Sequence, residues 1–247
     1  MAEPVSRAII LGIPIDAVTM RQAIDRLLQF LTDGRQHHVM TPNSEMLVEA
    51  AGNASFRDVL LSSDFNLPDS VGLLKAARWT GQTLPERVAG VDLVTNLCRE
   101  LSADHQVFLL GAAPGIAGRA AEKLLSKNPS LKIVGTHAGS PLTSDAAAIV
   151  RTINDVQPHV LLVAFGSPAQ DLWIVAHLDA MPSVRVAMGV GGTLDFLAGD
   201  VKRAPHFFRS LGLEWVWRLM LQPWRFKRIW TAVIVFPWMV LTRRAPR

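Results

Sequence analysis

The chain has 247 residues, 49% of them hydrophobic and 19% charged, and carries a net charge of +4. That length suffices for one sizeable α/β core without a second domain, and the single cysteine, Cys98, excludes an intramolecular disulfide framework. The charge is uneven: residues 202–247 hold ten Lys/Arg against one acid, Glu214, a balance of +9, which leaves −5 on residues 1–201.

Met1 to Arg7 is mixed in charge and gives no secretory signal, so the Asn53-Ala-Ser55 sequon carries no weight. Ala8–Leu11 reads as a short apolar strand. Thr19 and Gln22 form a T-x-x-Q capping box, and Ile24, Leu27, Leu28 and Leu31 follow at helical spacing until Gly34. His38–Thr41 is a strand stopped by Pro42; Ser44–Ala51 returns as a helix; Phe65–Leu67 is a brief strand ending at Pro68-Asp69. Val71–Trp79 reads as helix.

From Val91 the alternation is regular. Helices Val91–Leu101, Ile116–Leu125, Asp145–Val156 and Gln170–Leu178 each precede an apolar strand, at Val107–Leu110, Lys132–Val134, Val160–Ala164 and Val184–Met188. Continuously apolar strands alternating with helices imply a Rossmann-like, mostly parallel sheet with helices on both faces. Cys98 falls on the apolar face of its helix and reads as a packed thiol. The charge asymmetry divides the chain into an α/β core, 1–201, and an appendage, 202–247, with five of the seven tryptophans. Basic residues interleaved with aromatics suit an anionic membrane surface; nucleic acid is not an expected partner, and a homo-oligomer is left open. The apolar run Ile229–Thr242, about 21 Å as a helix, is short of a bilayer's hydrocarbon core and suits the interface. The competing reading of that run is a helix packed on the core.

In a parallel sheet ligands bind outside the carboxyl ends of the strands. Thr41-Pro42-Asn43, Asp69, Gly111–Gly118, Phe165–Gln170 and Gly189–Thr193 all fall there. Asp69 is either a helix N-cap or a carboxylate facing the cleft. Thr41 and Asn43 bracket Pro42 as two polar side chains at one strand end, or as a turn with an Asn cap. Gly111, Gly115 and Gly118 are spaced G-x3-G-x2-G, not as the dinucleotide fingerprint, though the loop can still offer N–H groups to a phosphate or a uridine. Pro168, Gln170 and Asp171 suit the first turn of a helix. Gly189, Gly191 and Gly192 break a strand into a turn whose N–H groups can approach an anion, with Asp195 just inside the next helix. No D-x-D pair or metal-ligand spacing occurs, and the adjacent His37 and His38 face opposite sides of their strand.

The wording of these blocks carries further information. TPNSEMLVEA from Thr41, LPDSVGLL from Leu67, ERVAGVDL from Glu86, VFLLGAAPG from Val107, LLVAFGSPAQDLWI from Leu161 and GVGGTLDFLAG from Gly189 stand in order, followed by KRAP, LGLEWVWRL and QPWRFKR. Together they resemble the WecG/TagA/CpsF family (glycosyltransferase family 26) over nearly the whole chain. The resemblance implies an inverting, metal-independent enzyme needing no cofactor. It would move a hexosyl unit (N-acetylmannosamine, its uronic acid or glucose) from a UDP-sugar to a polyprenyl-diphosphate-linked saccharide in cell-surface polysaccharide synthesis. Its place would be peripheral, on the cytoplasmic face of the bacterial inner membrane. Asp69 would be the base, although the family's Asp-Gly pair is Asp69-Ser70 here. Thr41, Asn43 and Gln170 would position the sugars, with Gly111, Gly191, Gly192 and Asp195 lining the substrate site. Arg87, Arg218, Arg225 and Arg228 would bind diphosphate groups, arginines replacing a metal ion in stabilising charge. The family's usual Lys and Glu are Ala169 and Asp171 here, which removes one phosphate contact. Two other classes compete: a nucleotide-dependent oxidoreductase, disfavoured by the missing fingerprint, and a non-catalytic anionic-lipid-binding protein, which leaves the polar strand-end loops without a purpose.

Overall fold

The structure, a computed structural model, describes residues 6–205, 207–208 and 214–242, without the side chains of Glu214 and Arg218. It opens with an antiparallel hairpin, β1 (Arg7–Ile10) and β2 (Ile13–Asp16), of which the sequence reading recognised only the first strand. Leu11 and Gly12 both have positive φ (50° and 80°), the twist a two-residue hairpin requires.

The elements that follow are α1 (Met20–Phe30), β3 (His37–Met40), α2 (Ser44–Gly52), α3 (Ala54–Ser62), β4 (Phe65–Asn66) and α4 (Val71–Trp79). Next come α5 (Gly90–Glu100), β5 (Gln106–Gly111), α6 (Ile116–Lys127), β6 (Lys132–His137), α7 (Thr143–Val156) and β7 (Val160–Ala164). The core then closes with α8 (Ala169–His177), β8 (Val186–Gly189) and α9 (Thr193–Ala198). The capping box on α1 is present in both directions. Helix α3 escaped the sequence reading because Asn53 ends α2 and caps α3 at once, leaving no loop between them.

Strands β3 to β8 form a parallel sheet in the order β4-β3-β8-β7-β5-β6. The side-chain alternation of each strand divides the core into two faces. Val39, Val107, Leu109, Val160, Leu162, Val186 and Met188 meet α1, α5, α6 and α9. Phe108, Leu110, Leu161, Val163 and Ala187 meet α7 and α8, while Met40 joins the hairpin with α2, α3 and α4. Continuously apolar strands are therefore apolar because both faces are covered.

The C-terminal part contains α10 (Glu214–Leu221), a 3-10 turn at Pro223–Arg225, α11 (Phe226–Trp230), a π turn at Thr231–Val235 and α12 (Phe236–Thr242). Pro237, which lacks an N–H, is accommodated in the first turn of α12, directly after the π segment. Phe236 is fully buried and Val240 nearly so, packed with Met46, Leu47, Ala50, Leu73 and Ala76 of α2 and α4. The opposite side is bare: Trp230, Ile234, Trp238 and Leu241, near i, i+4 spacing, are all about half exposed or more. The run therefore packs on the core through one face, as the competing reading had it, and leaves the other face exposed. No helix among the described residues is long and apolar enough to cross a membrane.

Candidate active site

The carboxyl ends of β3, β4 and β8, neighbours in the sheet or one strand apart, bring three loops together. Asp69 N–H donates to Pro42 O (3.0 Å), Leu67 N–H to Met40 O (2.9 Å) and Val88 N–H to Pro68 O (2.8 Å), which ties the loops after β3 and β4 to the segment entering α5. The N-cap of α4 is Ser70, whose Oγ accepts from Leu73 N–H at 3.3 Å. Asp69 is therefore not the cap. Its Oδ1 accepts from Gly90 N–H (3.1 Å), and the Arg87 guanidinium stands 3.8 Å from the same oxygen. Arg87 Nε also donates to the Asp69 carbonyl at 2.8 Å. The Asp69 carboxylate remains 27% exposed, reachable from solvent. Ser70 has an extended backbone (φ −126°), so the residue after Asp69 has no need to be glycine here.

A Cβ placed on Gly90 would lie 3.5 Å from Thr41 Oγ1 and 3.7 Å from Thr193 Oγ1. Two hydroxyls from different loops thus flank the peptide that holds Asp69. Asn43 caps α2, accepting from Met46 N–H at 3.1 Å, so its side-chain oxygen is already engaged.

The glycine turns are built more tightly than the sequence suggested. Gly111 has φ +97°, and a Cβ there would lie 2.7 Å from the Ala164 carbonyl carbon, so only glycine fits. Gln170, 4% exposed, accepts through Oε1 from Gly166 N–H (3.1 Å) and Gly191 N–H (2.9 Å). The Gly191 N–H, expected to meet an anion, is spent on Gln170. Gln170 itself is a buried clamp between two loops. Gly192 caps α9 and lies against Asp195, whose Oδ2 is 3.8 Å from a Cβ built there. Burial raises the Asp195 carboxyl above the ordinary carboxylate range; Asp200 pushes the same way and Arg225 opposes it.

The charge of Arg225, in the tail, thus acts on the Asp195 carboxylate of α9. Arg228 reaches the first turn of α2, where its Nε and Nη2 donate to Glu45 Oε2 at 3.1 and 2.8 Å. Arg203 forks onto Asp92 of α5, at 2.6 and 2.5 Å. The Arg218 side chain lies outside the described residues. Sequence reading missed Glu45, Gly90 and Asp92. A lone charge or glycine in a helix's first turn gives no signal of its partner. Cys98 is buried, its thiol pushed up to about 12, which leaves it inert. His37 stacks on Phe30 and bonds Asp33, while His38 points through the opposite face toward Asp171.

Residues 8–247 match the sequence profile described as the glycosyl transferase WecG/TagA/CpsF family. The chain belongs to the WecG/TagA/CpsF family. Individual relatives agree with the profile. The N-acetylglucosaminyldiphosphoundecaprenol N-acetyl-beta-D-mannosaminyltransferase of Bacillus subtilis (strain 168) is 34% identical over 192 residues, 77% of this chain and 74% of that protein. The protein of the same name from Staphylococcus aureus (strain MRSA252) is 30% identical over 223 residues, 89% of this chain and 87% of its own. Membership of the WecG/TagA/CpsF family makes the chain a glycosyltransferase in class. The loops around Asp69 come from the strand ends where such a sheet binds ligands.

Proposed function

We propose that the protein transfers an N-acetylmannosaminyl residue, with inversion, from a UDP-sugar to a polyprenyl-diphosphate-linked saccharide. The observation that carries this reading is Asp69: relieved of capping by Ser70, held by Gly90 N–H, and partly exposed at the strand ends. The relatives' names supply the sugar and the lipid-linked acceptor.

In this reading the acceptor hydroxyl attacks the anomeric carbon from the face opposite the nucleotide. The new glycosidic C–O bond forms as the bond to UDP breaks, and the hydroxyl proton passes to Asp69. Thr41, Thr193 and Asn43 orient sugar hydroxyls, and Asp195 completes the site wall. Gln170 and the Gly111 and Gly191 turns shape the donor pocket. Arg87 takes charge developing on the leaving diphosphate, and the tail arginines Arg218, Arg225 and Arg228 receive the acceptor's diphosphate at the rim. The bare aromatic row on the tail rests on anionic lipid at the cytoplasmic face of the inner membrane, where Trp and basic side chains partition well.

Asp69→Asn tests the assignment. Release of UDP in the presence of a lipid-linked acceptor should fall by roughly 10²–10⁴, the usual scale for general-base help, while UDP binding persists. Turnover within a few-fold of the parent protein would remove Asp69 as the base.

A further inference from the structure

The first turn of α8 carries a second acidic residue that the proposed chemistry leaves unused. Asp171 is 1% exposed, and neither carboxylate oxygen has a hydrogen-bond partner. His38, on β3, is 5% exposed, and neither of its ring nitrogens has one either. Its Nε2 stands 3.6 Å from Asp171 Oδ1, beyond hydrogen-bond length but within ion-pair range, and no other ion pair engages Asp171 among the described residues. Leaving a lone carboxylate in the interior is costly unless a polar partner such as an imidazole stands beside it.

The location gives the pair its meaning. A Cβ on Gly189 would lie 2.3 Å from Asp171 Oδ1 and 2.5 Å from Gln170 Nε2, so both side chains press on the same Cα at the end of β8. His38 sits across the β3–β8 ladder, opposite Ala187. Asp171 is thus caught between β3 and the last residue of β8, and Gln170, its neighbour in sequence, grips Gly166 and Gly191.

We propose that His38 and Asp171 form a buried positioning pair that fixes the first turn of α8, and so holds the Gln170 carbonyl between the Gly166 and Gly191 turns. Its catalytic consequence rests on the reading above, in which those turns shape the donor pocket. Neither residue touches substrate; each acts through Gln170.

Three variants test this: His38→Gln, Asp171→Asn and the two combined. Because Gln170 Oε1 accepts from the Gly166 and Gly191 amides, hydrogen exchange at these two amides reads the clamp directly, with no substrate present. In His38→Gln, exchange at both should accelerate by about tenfold or more, while the β5 and β7 amides stay protected. Donor KM should rise with kcat moving less. Adding Asp171→Asn removes the stranded carboxylate, so the double variant should recover protection and donor KM relative to His38→Gln. Unchanged exchange at Gly166 and Gly191 in His38→Gln would overturn the proposal. So would a double variant no better protected than His38→Gln, including one that fails to fold. If the parent protein turns over no UDP-sugar, the functional reading fails while the exchange measurement still decides the pair.

Discussion

Replacing Phe236 with Ala asks whether the C-terminal helix belongs to the core. The Phe236 ring is completely buried among Met46, Leu47, Ala50, Leu73 and Ala76, so truncation removes transfer free energy and leaves a cavity between α2, α4 and α12. Phe→Ala at such a site costs about 3–5 kcal/mol. For a chain of this size that corresponds to a fall in Tm of roughly 6–20 °C. Trp238, two residues along, is 69% exposed, and Trp238→Ala should stay within about 0.5 kcal/mol of the parent. Urea unfolding followed by both far-UV circular dichroism and tryptophan fluorescence reads the difference. Five of seven tryptophans lie in residues 202–247, so fluorescence reports on the tail and circular dichroism on the sheet. Early fluorescence loss in Phe236→Ala would mean that the tail undocks first. Trp238→Ala should instead lose binding to anionic vesicles. Equal midpoints for the two variants would refute the argument that α12 completes the core.

Other outcomes follow from the same geometry. The Asp195 carboxyl should titrate above the ordinary range by carboxylate NMR; Arg225→Gln, removing a cation, should raise it further, and Asp200→Asn, removing an anion, should lower it. Opposite shifts would mean that the Arg225 charge does not act on Asp195. Because the chain has no D-x-D pair, transfer should survive EDTA; activity lost to chelation and restored by Mg²⁺ or Mn²⁺ would assign the diphosphate to carboxylates. Gly111→Ala combines a φ of +97° with a backbone clash at Ala164, so a loss of about 2 kcal/mol or more is expected in thermal melts.

Much of the architecture is local and therefore legible in the residue order. Val160–Ala164 is apolar at every position because both faces of a central parallel strand are covered, and that pattern alone marks a strand. The Thr19–Gln22 capping box announces the start of α1 because its hydrogen bonds span only three residues. Candidate site loops could be placed for the same reason: each follows a strand, and strand ends are where such sheets gather ligands.

Competition among similar groups is settled only by distance in space. Asp69 and Ser70 are equally good caps by residue type; the chain chose Ser70 because Gly90 N–H and the Arg87 guanidinium, about twenty residues on, hold Asp69 Oδ1. The Gly191 N–H looks available to an anion in sequence, yet Gln170, twenty-one residues earlier, takes it. The tail shows the same limit most plainly. Its charge, tryptophans and apolar length read as a membrane-contacting appendage, and all three are properties of composition. Periodicity shows only that a helix has an apolar surface. Which part of that surface meets α2 and α4, burying Phe236, and which part is left bare at Trp238, depends on the groove the folded core presents.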